Sequence, residues 1–178
     1  MKLKLVTSVV LTALLSLSLS PMGASAAPCP PSKTDGATIG KIQVGGVSVN
    51  IKGINYPKGG VLVPPSSPLN AGLSARHMPL DSQIGTSVIT WHVNLKGCEG
   101  KLNVLSKKEI GYEFSVSDEN GNSVAYRIID KVTVKKGNYK EEWFDRSGPR
   151  KLLLVTCIGK VINGSYQKNL VIQAEPVA

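Results

Sequence analysis

No stretch of this 178-residue chain keeps a long helical period, and no internal repeat is visible. What recurs is a short β-prone run closed by glycine, proline or Asn-Gly. Residues 41–44 and 47–51 alternate around Gly45-Gly46, which predicts a hairpin. Gly59-Gly60 precedes an apolar run at 61–63, and Pro64-Pro65 stops it. Residues 86–93 form a further apolar run that ends on Trp91-His92-Val93. Residues 112–117 and 123–134 flank Asp118-Glu119-Asn120-Gly121, where Asn-Gly marks a tight turn. Runs at 151–156 and 169–174 complete the set, and only 66–75, 102–108 and 141–144 suit short helices. Many short strands with this punctuation close into a barrel or stack as a sandwich, so the predicted class is all-β.

The first 26 residues read as an export signal. Lys2 and Lys4 precede a run of apolar and small residues from Leu5 to Leu19, and Pro21 and Gly23 break any helix before Ala24-Ser25-Ala26, a cleavage pattern. The run is shorter than the roughly 20 residues of a membrane helix, so cleavage after Ala26 is expected, with membrane contact only before it. Residues 27–37, with Pro28, Pro30 and Pro31, read as an extended spacer, and 38–178 as one domain. Losing Lys2 and Lys4 lowers the net charge from +9 to +7. A basic exported domain suits an anionic cell envelope. Nucleic acid is not an expected partner, because no aromatic-interleaved basic strip or Arg-rich helix is present. Of Cys29, Cys98 and Cys157, one is left over if any two are bonded. A Cys29–Cys98 bridge would leave Cys157 free; equally, Cys157 could bridge to either, or all three could be thiols.

The run Leu152-Leu153-Leu154-Val155-Thr156-Cys157 is where chemistry enters. An apolar strand that delivers a cysteine to its end, before Ile158-Gly159-Lys160, fixes the sulfur and leaves it reachable, as nucleophilic catalysis requires. Only two histidines are available to partner it. His92 stands near the end of the 86–93 run; if the two strands are neighbours, both side chains reach one rim and the imidazole can take the thiol proton. His77, in Ala75-Arg76-His77-Met78, has a loop context. The plain alternative is that Cys157 is a small buried apolar residue. No C-x₂-C or H-x₃-H spacing occurs, so no metal is expected, and with no phosphate loop, G-x-S-x-G or H-E-x-x-H, no cofactor either. Asn163-Gly164-Ser165 matches a glycosylation sequon but reads as a turn.

Lys151 to Cys157 resembles the "TLxTC" cysteine strand of sortases, the cell-wall transpeptidases of Gram-positive bacteria. Ile84-Gly85-Thr86-Ser87-Val88-Ile89-Thr90-Trp91-His92-Val93-Asn94 resembles the "GTxVIxGHVD" histidine strand of class F and class E sortases. The first strands through Pro64, the hairpin at Asp118–Gly121 and a terminal Gly164 to Ala174 that is similar to "GxYxxNxVVxA" follow in the same order. The resemblance covers roughly residues 38–177. It implies a closed eight-stranded barrel with short helices in its loops. Cys157 would attack the Thr–Gly carbonyl of an LPxTG-type sorting signal on a surface protein and form a thioester. His92 would protonate the leaving amine, and an amine of the cell wall or of a pilin, or water, would resolve the intermediate.

The sequence departs from the family's pattern in three places. Sortases carry an arginine on the last strand, and the matching position here falls on Gln167 or Asn169. These two share one strand face if the strand is regular, with Lys168 opposite. Arg76, Arg127 or Arg146 could supply the charge from elsewhere; with Thr156 beside the cysteine, the candidates for substrate or oxyanion contact are Asn169, Gln167, Thr156 and Arg76. Trp91 stands where a glycine is usual, which would narrow the groove. A cleavable signal differs from the usual membrane anchor. An alternative expectation is therefore a secreted module of this fold that binds the envelope with weakened chemistry.

Overall fold

The computed structural model describes residues 29, 35–55 and 62–177. The export signal, most of the spacer, Gly59-Gly60 and Val61 lie outside the described residues. In chain order the strands are β1 (Thr38–Val44), β2 (Val47–Ile54), β3 (Ala71–Ser74), β4 (Thr86–Trp91), β5 (Asn94–Leu95), β6 (Cys98–Glu99), β7 (Glu113–Asp118), β8 (Ser123–Lys135), β9 (Lys151–Ile162) and β10 (Ser165–Pro176). Eight of them close a barrel in the order β1-β2-β3-β4-β9-β10-β8-β7, and β5 and β6 form a small separate hairpin. The expected closed eight-stranded all-β barrel is thus the observed fold. Its pairs are antiparallel except β2–β3 and β4–β9.

Side-chain alternation explains which segments read most clearly. Ile42 and Val44 of β1, Val49 and Ile51 of β2, and Leu170, Ile172 and Ala174 of β10 enter the main core. At β4 and β9 both faces are covered. Ile89, Trp91, Leu152 and Leu154 point inward, while Val88, Leu153 and Val155 pack outward with Val171 beneath Trp143. A parallel pair buried on both faces reads as a continuous apolar run, and Leu152 to Val155 is such a run. Trp143 comes from the expected helical stretch at 141–144, a 3₁₀ turn over Glu141–Phe144. The expected helix at 102–108 contains α1 (Asn103–Ser106).

Several expectations are corrected. Residues 66–75 hold no helix; β3 occupies 71–74 because Ala71 to Ser74 pair in parallel with Ile51 to Ile54. Leu62 and Val63 are irregular rather than a strand. Cys157 is not at a strand end: β9 continues to Ile162, and the turn falls at Asn163-Gly164. The glycine read as part of a turn, Gly159, has φ +85 and absorbs a bulge between Ile158–Lys168 and Val161–Tyr166. Cys29 and Cys98 are bonded to each other across 69 residues, so Cys157 is the free thiol and cannot be a bridge partner. Two residues of the expected spacer are therefore tied down: Cys29 by that bond and Asp35 by its carboxylate, which takes the Ser66 N–H.

Candidate active site

The alternation that sends Leu152 and Leu154 into the barrel sends Leu153, Val155 and Cys157 to its outer face. The parallel register ends on the pair Trp91–Thr156, and His92 and Cys157 are the residues that follow. Thr156 locks that register by donating its hydroxyl to the Trp91 carbonyl at 2.8 Å. Its side chain is buried and tied to this bond, and Thr156 also lines the groove shared by Cys157 and His92. Cys157 and His92 line one groove of about 530 Å³, and Asn169, Lys136 and Tyr139 line it too. That volume lies within the usual range of ligand sites, roughly 300–1,000 Å³.

On the cysteine side, Asn169 of β10 is paired directly with Cys157. It is almost fully buried, and every polar atom of its amide has a partner. Its Oδ1 accepts the Gly137 N–H at 3.2 Å and the Tyr139 hydroxyl at 2.9 Å. Its Nδ2 donates to the Thr156 carbonyl at 3.2 Å and approaches the Cys157 Sγ at 3.8 Å. Lys136, one residue past β8, donates its Nζ to the Ser165 hydroxyl at 2.8 Å. Burial pushes the Cys157 thiol up; the Lys136 charge and the Asn169 amide pull it back.

The histidine side is built differently. The Trp91 indole is fully buried in the barrel core, and Trp91 is also among the residues that line the groove. Its Nε1 donates to Asn103 Oδ1 at 3.1 Å, and Asn103 Nδ2 donates to the Val93 carbonyl at 2.6 Å. Gly100 donates to the same carbonyl at 2.9 Å. A side chain at Gly100 would strike the His92 carbonyl, so the chain can pass there only as glycine. Burial lowers the His92 imidazole, while the Pro65 carbonyl and the Asp35 carboxylate raise it. At neutral pH the thiol–imidazole pair is therefore mainly uncharged. The thiolate–imidazolium pair is the minor form, favoured by Lys136 from one side and Asp35 from the other.

The other sequence candidates lie elsewhere. Gln167 is exposed, bonds the Ser165 carbonyl at 2.8 Å and does not line the groove. Arg76 also does not line the groove; it neighbours His77, which stacks on Phe144 with ring centres 5.3 Å apart. Arg146 faces the same histidine, and Arg127 pairs with Glu113 at 2.6 Å on the barrel wall. Among the described residues no arginine lines the groove. His77 is apart from Cys157, its Nδ1 2.8 Å from the Ser74 hydroxyl. Sequence reading missed Lys136, Tyr139, Asp35 and Asn103. Only the lysine pair Lys135-Lys136 at the end of a long β-prone run offered a signal.

The description "Sortase domain" matches residues 63–177 of the chain. No curated protein matches it. Among solved structures, sortase C1 from Streptococcus suis is similar with a TM-score of 0.61 and 19% identity, over 79% of this chain and 73% of that one. The Group B Streptococcus pilus island 1 sortase C2 gives 0.60 and 21%, over 79% and 74%. The sortase A lid mutant from Corynebacterium diphtheriae gives 0.60 and 15%, over 83% and 74%. At these identities the structures speak for the fold, and the domain match speaks for descent: the chain belongs to the sortase family, whose members are cysteine transpeptidases.

Proposed function

We propose that Cys157 and His92 carry out transpeptidation on LPxTG-type sorting signals at the cell envelope. The observation that carries this reading is a free thiol on β9 and an imidazole just past the end of the neighbouring β4, lining the same groove. The Cys157 sulfur attacks the Thr carbonyl carbon, the C–N bond to Gly breaks, and His92 gives its proton to the leaving amine. An envelope or pilin amine then attacks the thioester and returns the electron pair to sulfur; water in its place gives hydrolysis. Asn169 offers a donor in the position where the family has arginine, and Lys136 supplies the positive charge beside the sulfur. The export signal fits a role outside the membrane, and the histidine-strand likeness supports a place near classes F and E.

A second reading keeps the groove but not the turnover. That no arginine lines the groove among the described residues favours a module that binds sorting-signal or envelope peptides. One experiment separates the two. The full chain is incubated with a panel of pentapeptide sorting signals and an amine acceptor, and the products are read by mass spectrometry. Transfer or hydrolysis that vanishes in Cys157→Ala supports the enzyme; binding without product, equal in Cys157→Ala, supports the module.

A further inference from the structure

Two residues outside the barrel strands, and ahead of the matched stretch 63–177, hold both flanks of His92. On one flank Asp35 Oδ1 accepts the Ser66 N–H at 2.5 Å and Oδ2 accepts Asn70 Nδ2 at 3.1 Å. That grip fixes the crossover into β3, where the buried Pro65 turns its carbonyl to the His92 ring. On the other flank Cys29 is bonded to Cys98, in the β5–β6 hairpin that begins two residues after His92. The Ala37 carbonyl accepts the Gly53 N–H at 3.4 Å and ties the same part of the chain to β2. His92 itself lies one residue beyond β4, where no strand ladder holds it.

We propose that Cys29 and Asp35 form an N-terminal strap that positions His92 from outside the barrel, with Asp35 as the positioning residue. The inference rests on His92 being the acid–base partner. A carboxylate here does two things that a neutral side chain does not. It accepts from Ser66 and Asn70 at once, and it favours the charged imidazole against the burial that opposes it. Among the described residues, the other charged or titratable groups that line the groove with His92 are Cys157, Lys136, Tyr139 and Tyr166, and Glu99 of β6 accepts from Asn103 at 3.3 Å nearby in the chain.

The test is an NMR titration of the imidazole C–H signals in the full-length chain, with His77→Gln assigning the two histidines. Asp35→Asn should move the His92 midpoint to lower pH and leave His77 in place, and Asp35→Glu should restore it. The double variant Cys29→Ser/Cys98→Ser should move His92 in the same direction while the far-ultraviolet spectrum of the barrel is kept. Turnover of a sorting-signal peptide should fall about tenfold in Asp35→Asn, below the roughly 10²–10⁴ that an acid–base group supplies. A His92 midpoint unmoved in Asp35→Asn and in the double variant overturns the strap, as does an equal shift in Asp35→Asn and Asp35→Glu. A shifted midpoint in a chain that turns over no sorting signal upholds the strap and sinks the transpeptidase reading. The reverse pattern does the opposite.

Discussion

Cys157 sits inside the hydrogen-bonded ladder of β9 with β10, one residue past the last pair of β9 with β4, whereas His92 stands just past the end of β4. The sulfur's position is set by backbone pairing that many residues share. The imidazole's position is set by a few side chains, chiefly Asn103, Asp35 and the Cys29–Cys98 bond. Ladder residues open only with large cooperative units of the fold, while loop residues sit at the low-stability end. One wall of the groove is therefore rigid by default, and the other is rigid only while its ties hold.

Substitutions test that contrast in descending order of effect. Cys157→Ala should reduce peptide turnover by at least about 10³-fold, to the level of a blank, in the mass-spectrometric assay. His92→Ala should lower it by roughly 10²–10⁴ while leaving Cys157 open to alkylation by iodoacetamide, because the ladder that holds the sulfur is untouched. Residual turnover close to wild type in either would end the assignment of roles. Asn169→Ala strips partners from the Gly137 N–H and the Tyr139 hydroxyl at a buried site. A stability loss of about 1–3 kcal/mol in urea unfolding is expected, with alkylation of Cys157 shifted to higher pH. Lys136→Met should slow that alkylation about two- to fivefold at neutral pH, the scale of an exposed charge interaction, and Lys136→Arg should keep it.

The pH profile divides along the same line. The competent form needs a thiolate and an imidazolium, with the thiol held above and the imidazole below their ordinary values. The acid limb of kcat/KM then belongs to His92 and the alkaline limb to Cys157, as a pair of macroscopic values. Losing Lys136 raises the thiol value, so the alkaline limb should move up and the plateau should fall. Losing Asp35 lowers the imidazole value, so the acid limb should move down. Limbs that move together, or the wrong limb moving, would show that the two walls are not independent.

The rigid wall was also the legible one. A doubly buried parallel pair produces continuous apolar runs, so the strands at 86–93 and 151–156 stand out, while Asn169 is a candidate through the likeness to the family's last strand. Gln167 shares β10 with Asn169 yet does not line the groove. β3 was read as helix because Ala-Gly-Leu-Ser has no β-branched residue and is a strand only through pairing with β2. Lys136 and Asp35 were missed for another reason. Both are brought to the groove by contacts 29 to 35 residues distant in sequence, which no local pattern records.

The parallel joint of β4 and β9 unites segments 65 residues apart. Closing so long a loop costs chain entropy before the first contact returns any, so such pairings are made late as a chain collapses. Until that joint closes, the Cys157 sulfur and the His92 imidazole belong to separate parts of the chain. A half-finished molecule holds an ordinary, unprompted thiol, and reactivity arrives with completion of the architecture itself.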